Sequence, residues 1–219
     1  MTFSILAVDR QSGSIGGAAA TGNIAVGAWV LAIEARAGGV ASQGLSVSAL
    51  WKEQAIAGLR RNDSADQTVR SIVEADPGRG SRQLAVLDRH GRAAAWTGGD
   101  NHDVKGHVTG DGYVIAGNWL GAEGVLTAME AAFIESSERD FGERLLAVLD
   151  AGVRAGGDDR GMQSAALRTV SEREPPLDLR IDDDRDPLGR LATLYQKTRG
   201  PDYAAWLKTL PTLEAPHRC

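Results

Sequence analysis

Two stretches of this 219-residue chain carry side chains that can do chemistry. The first runs from Gly156 to Leu167: Gly-Gly-Asp-Asp-Arg-Gly-Met-Gln-Ser-Ala-Ala-Leu. It gathers two carboxylates (Asp158, Asp159), a guanidinium (Arg160), an amide (Gln163) and a hydroxyl (Ser164) between glycines and an apolar run. Upstream, Phe141, Leu145, Val148, Leu149 and Gly152 fall on one helical stripe, so Gly156-Gly157 reads as a helix C-terminus. Downstream, Ser164 to Val170 is rich in small and β-branched residues and reads as a strand. The polar cluster is therefore expected in a helix-to-strand turn, where glycines let the backbone approach a ligand closely. The plainer reading is a solvated turn whose Asp and Arg pair with each other.

The second is the amino end. Thr2 follows the initiator methionine and is small enough for methionine removal. A threonine carrying its own α-amino group is both nucleophile and base. The amine has a reference pKa of roughly 8 and can take the hydroxyl proton. Many proteins begin Met-Thr, so this signal is weak alone. If Met1 is retained, Thr2 has no free amine and this mechanism is blocked.

Other chemistries find no footing in the spacing. His90, His102, His107 and His217 never pair at i, i+4, and no Cys ligand set exists, so no metal or cofactor is expected. His102, Asp103 and His107 share the segment Gly98 to Gly110, read as an ordinary surface loop. No phosphate-binding glycine motif is present. Ser46 and Ser48 precede Lys52 at the wrong spacing for a serine acyl-enzyme and read as helix capping. Asp182-Asp183-Asp184 reads as a solvated turn.

Composition narrows the class. Hydrophobic content of 42% and charged content of 24% are ordinary for a soluble globular chain. The net charge of −5, with no basic cluster standing out, argues against nucleic acid or an anionic membrane as partner. The one cysteine, Cys219, cannot form an internal disulfide, which fits a reducing compartment. No signal peptide is evident, and Glu34 and Arg36 interrupt the most apolar stretch. The expected location is the cytoplasm, with a small-molecule substrate or ligand as partner and a homodimer allowed.

The elements that must position these residues follow from periodicity. Phe3 to Val8 and Ile15 to Thr21 predict a hairpin, and Ala25 to Ile33 with Ala35 to Ser42 a second. Helices are expected over Val47 to Leu59 and from a capping box at Ser64 and Gln67. Leu84 to Leu87 and Ala93 to Thr97 predict a third hairpin echoing the first, as if two sheets of similar hairpins were packed. Tyr113 to Ala116 reads as a strand, followed by a helical stripe from Val125 to Phe133. Asp140 opens the next helix, the polar turn and its strand follow, and Leu177 to Ile181 is a last strand. Asp186-Pro187 starts another helix. Strands come in groups and helices in pairs, which predicts an α+β layered domain of two mainly antiparallel sheets covered by helices. Residues 1–199 form that domain, with 200–219 a tail on the body or on a neighbouring subunit.

The opening Met-Thr-Phe-Ser-Ile, the Ala-Gly-Gly-Val-Ala-Ser-Gln segment ending at Gln43, Gly117-Asn118, the Gly-Gly-Asp-Asp-Arg-Gly turn and Leu-Arg-Ile-Asp-Asp resemble the bacterial domain of unknown function 1028 family over nearly the whole chain. That resemblance implies the N-terminal-nucleophile (Ntn) hydrolase fold, a four-layer αββα sandwich, and leaves the substrate open. A coarser likeness to proteasome-type β subunits implies that Thr2 is the nucleophile and Gly44 supplies an oxyanion-binding N–H. By the same likeness, Asp158 or Asp159 and Ser164 support the nucleophile. Those subunits carry a lysine on the second hairpin. Here the first lysine is Lys52, so that place is unfilled. Other Ntn hydrolases use the α-amine with Asn and Arg, which would fall to Asn23, Arg36, Asn118 and Arg160.

Two functions are consistent with these residues. One is an Ntn-type amidohydrolase on a small polar amide or peptide-like substrate. Thr2, Gly44 and Asn118 would then be catalytic. Asn23, Arg36, Gln43, Asp158, Asp159, Arg160, Gln163 and Ser164 would bind substrate. The other is a non-catalytic small-molecule-binding protein on the same scaffold.

Overall fold

The computed structural model describes residues 2–157 and 161–218. It is a mixed α+β structure with two antiparallel sheets. The first sheet holds β1 (Thr2–Asp9), β2 (Ser14–Thr21), β7 (Gly106–Gly110), β8 (Tyr113–Asn118), β9 (Ser164–Val170) and β10 (Leu177–Ile181). Its strand order is β10-β9-β2-β1-β8-β7, so β1 is an inner strand. The second holds β3 (Leu31–Glu34), β4 (Gly38–Gly44), β5 (Arg82–Asp88) and β6 (Ala93–Thr97), in sequence order. The two echoing hairpins thus lie in different sheets.

Strand alternation explains how the sheets meet. Both faces of β1 are apolar, because successive side chains point to opposite faces and both faces are covered. Phe3, Ile5 and Ala7 join one cluster with Met129 and Phe133 of α4 (Val125–Glu135), Leu145 and Leu149 of α5 (Phe141–Arg154), and Leu191 and Tyr195 of α6 (Pro187–Thr198). Leu6 joins a second cluster with Ala41, Ala85, Leu87, Val114 and Ala116, drawn from both sheets. A third cluster sets Val40, Leu84 and Val86 against α2 (Ala49–Arg60) and α3 (Ala65–Ala75). Small residues allow the close approach between sheets: a Cβ on Gly17 would lie 2.8 Å from Leu6 Cδ2 and 2.9 Å from Ile33 Cδ1.

Local signals hold where they rest on caps. Ser64 and Gln67 form the reciprocal capping box of α3, Ser48 caps α2 through the Trp51 N–H, and Asp186 caps α6 ahead of Pro187. Two expectations need correction. Val26–Trp29 is a short helix, α1, rather than the start of a hairpin strand; Ala25 turns the chain with φ 59°. Gly106–Gly110 is β7, not loop, because it pairs along β8 and so finds partners that its own sequence does not announce. The tail carries α7 (Pro201–Leu207), and beyond it the Glu214 N–H donates to Glu172 O at 2.9 Å. No helix among the described residues is long and apolar enough to cross a membrane.

Candidate functional site

Antiparallel register lines up one residue from each of four strands. Thr2 lies opposite Asn118 on one side and Thr21 on the other, and Thr21 lies opposite Ser164. Each shares the phase of Leu6, Ala116, Ala19 or Ala166, so all four project toward the second sheet. The sequence scatters them over more than 160 positions; the sheet makes them one row at the end where β1 begins.

The row is neutral and tightly bonded. Thr2 Oγ1 donates to Thr21 Oγ1 at 3.1 Å. The second sheet supplies the next layer: Gln43 Nε2 donates to Thr2 O at 3.2 Å and to Gln83 Oε1 at 2.7 Å, and Gln43 Oε1 accepts from Ser4 Oγ at 2.8 Å. Gln83 Nε2 shares its two hydrogens among Thr97 Oγ1 (2.8 Å), Gly106 O and Gly117 O (2.9 Å each). Thr97 Oγ1 then meets His107 Nδ1 at 2.8 Å. Gln43 and Gln83 are both essentially solvent-free. Two buried amides are tolerated between sheets because nearly every donor and acceptor has a partner. Burial of part of the His107 ring lowers its pKa.

One atom breaks the pattern. Asn118 is 3% exposed, and its Oδ1 has no hydrogen-bond partner among the described residues. An unpaired buried polar atom costs about 1–3 kcal/mol, which calls for a reason beyond folding. Backbone strain gathers at the same end. Trp119, next to Asn118, has φ 55°, and Ala25, two residues past Asn23, has φ 59°. Residues other than glycine rarely adopt this region, and such strain concentrates at functional sites. Trp119 also stacks on His102, with ring centroids 4.0 Å apart, so that histidine is not free in its loop.

Gly44 ends β4 one residue past Gln43, with φ 130°. A Cβ there would lie 2.7 Å from Ser81 O, so the position admits only glycine. The Ser42 N–H donates to Val30 O at 3.1 Å. By ladder alternation the Gly44 N–H then also points away from β5. The following N–H, of Leu45, is already taken by Asn101 Oδ1 at 2.8 Å.

The helix-to-strand turn is anchored beside this row at both flanks. Gly157 O accepts from the Gly121 N–H at 3.0 Å, just past Asn118, and the Gln163 N–H donates to Thr21 O at 2.8 Å. Asp158, Asp159 and Arg160 lie outside the described residues. Gln163 Nε2 holds Asp183 Oδ1 at 3.0 Å. Ser164 is fully buried; its hydroxyl donates to Asn23 O (2.6 Å) and accepts from the Val26 N–H (3.0 Å), so it fastens the β2–α1 turn. Asn23 Oδ1 accepts from the Ile24 N–H at 2.9 Å. Lys52 donates to Ala28 O, and burial lowers its pKa.

Arg36 is a correction. It sits in the β3–β4 turn, pairs with Glu172 at 2.8 Å, and lines a cavity with Val8 and Asp9, at the opposite end of β1 from Thr2. Eight strand residues separate a guanidinium there from Thr2 by roughly 23 Å. Conversely, Ser4, Gln83, Thr97 and His107 belong to the site's supporting network although sequence reasoning left them out. The available signal was phase: Gln83 falls in step with Ala85 and Leu87, a core-facing position. Among the described residues, no cluster of three or more metal-ligating side chains exists.

No curated protein matches this chain. A crystal structure of a protein from Silicibacter pomeroyi is similar over 99% of this chain and 98% of that one, at 44% identity and a TM-score of 0.94. Residues 2–191 match a single family model, and the chain belongs to that family, the family of unknown function DUF1028.

Proposed function

We propose that this protein is an Ntn-type amidohydrolase acting on a small polar amide or peptide-like substrate, with its layers forming an αββα sandwich. The observation that carries this reading is the row itself: Thr2 opens an inner strand, its hydroxyl held by Thr21, beside an Asn118 carbonyl that is buried without a partner among the described residues.

After removal of Met1, the α-amine of Thr2 takes the Oγ1 proton while Oγ1 bonds to the substrate carbonyl carbon. The oxyanion that forms is held by the Gly44 N–H, which faces away from β5. A single well-placed donor of this kind is worth roughly 3–4 kcal/mol. The α-ammonium returns its proton to the leaving nitrogen as the C–N bond breaks, leaving an ester on Thr2. Water, deprotonated by the same amine, then releases the acid. Asn118 Oδ1 is an acceptor and suits the Thr2 ammonium or a substrate N–H better than an oxyanion. Gln43 fixes the first peptide carbonyl, so the nucleophile starts from a rigid backbone. The neutral amides and hydroxyls around Thr2 favour a polar, uncharged substrate group at this point.

The test combines mass spectrometry of the native amino terminus with an acylating probe on wild type and Thr2→Ala. Thr2 as the mature first residue, labelled by the probe only in wild type, is the expected result. A retained Met1 with no labelling overturns the hydrolase and leaves the non-catalytic binding protein.

A further inference from the structure

At the far end of β1 a cavity of about 770 Å3 opens among the β1–β2 turn, the start of α5, the end of α6 and the carboxyl-terminal segment. Arg139, Arg144, Arg173, Arg199, Lys208 and Arg218 line it, against Asp9, Asp140 and Glu174. The lining is thus net positive by three in a chain of net charge −5.

Internal pairing does not account for this charge. Arg199 pairs with Asp140 at 2.9 Å and Arg173 with Glu214 at 3.3 Å. Arg139, Arg144, Lys208 and Arg218 form no ion pair among the described residues. Among the described residues, the Arg218 guanidinium reaches only Lys208 O, at 3.5 Å. Arg144 is half-buried, lies 3.6 Å over the Phe133 ring and donates through Nε to Phe133 O at 2.9 Å. Burial pulls its pKa down, with Asp9 the opposing influence. The carboxylates are mostly engaged already: Asp9 accepts from the Gln11 and Ser12 N–H groups, and Asp140 from the Gly142 N–H, Tyr195 and Arg199. Among the described residues, the exposed Glu174 is the one lining carboxylate without a hydrogen-bond or ion-pair partner. The α5 N-terminus is already capped by Asp140, so the attraction comes from the side chains.

We propose that this cavity is a second binding site, distinct from the Thr2 row, for a small molecule bearing two or more negative charges of phosphate or carboxylate type. Its volume falls in the range of metabolite pockets rather than of an extended nucleic-acid surface. Guanidinium groups held on a folded rim pair with such oxyanions through two parallel hydrogen bonds. A half-buried arginine without a direct ion pair gains most from a ligand that neutralises it.

Calorimetric titration of the full chain with pyrophosphate and with citrate tests this. Saturable binding of one molecule per chain is expected for at least one probe, weakening as salt rises. Arg139→Gln with Lys208→Gln should raise its Kd about tenfold or more while leaving the melting temperature in place. Arg61→Gln with Arg70→Gln, which removes the same charge just past α2 and on α3, should leave the Kd within about twofold. Absence of saturable binding by both probes overturns the proposal. So does an equal loss in the two double variants, which would mean diffuse charge and no built site.

Discussion

At its Thr2 end, β1 enters a row of neutral hydroxyls and amides that hold one another. At its Asp9 end it meets a rim of guanidinium groups that mostly do not. The first region is dry: Gln43, Gln83 and Ser4 are buried, so each needs its partner in place before the sheets close. The second is wet, and water screens its like charges enough for them to coexist. Polar groups in the dry region are therefore part of what holds the sheets in register. In the wet region they add little to stability and remain available to a ligand. Each substitution below separates these two roles.

The largest expected effect is on turnover. Thr2→Ala should lower kcat/KM on a responsive amide by at least about 10^3-fold, as loss of a nucleophile does. Arg139→Gln with Lys208→Gln should leave it within about twofold, and steady-state kinetics on both variants checks the pair. If the basic-end variant is equally dead, the two ends are one functional unit and the contrast fails.

Next comes Gly44→Ala. It forces a side chain into φ 130° against the Ser81, Arg82 and Gln83 backbone, and should cost at least about 3 kcal/mol in urea unfolding. Gln83→Leu is nearly isosteric but removes the donor shared by Thr97 Oγ1 and the Gly106 and Gly117 carbonyls and the acceptor of Gln43 Nε2, for about 2–3 kcal/mol. Arg139→Gln should change stability by no more than about 0.5 kcal/mol. A comparable loss from Arg139→Gln would show that the basic rim is structural after all.

The smallest effect is in pH. Burial holds the His107 pKa below that of the unfolded chain, so the unfolded state takes up protons first as pH falls. Stability should be flat above the unfolded value of about 6.5 and decline below it until the folded His107 also titrates. Comparing wild type with His107→Gln in melting curves between about pH 5 and 7.5 isolates this slope. Identical slopes would disconnect His107 from the buried network.

Caps and apolar phase were legible without coordinates. Ser64 with Gln67, Asp186 with Pro187 and the α4 stripe from Val125 to Phe133 are read from neighbours within one turn, and the structure repeats them. Elements that depend on a distant partner were not. Gly106–Gly110 looks like loop until β8 is beside it, and Val26–Trp29 looks like strand until Ala25 turns left-handed. The site divides in the same way. Thr2, Gly44, Gln43 and Asn118 were singled out from the chain, and all four stand at the same end of the sheets. Arg36 was misplaced, because nothing local says which end of a hairpin faces the nucleophile. Gln83 and His107 were passed over, because a buried amide pair exists only once β4, β5 and β8 are adjacent.

By itself the sequence determined the family, the grouping of strands and paired helices, and the presence of a threonine able to open the first strand. Those properties rest on residue types and short spacings, which the chain carries before it folds. Antiparallel register placed Thr2 between Thr21 and Asn118 and left the Asn118 carbonyl without a partner among the described residues, while the packing of helices and the carboxyl-terminal segment gathered the arginines at the other end. Register and layer packing are set by contacts across the whole chain, and a one-residue slip would turn every side chain of the Thr2 row to the opposite face.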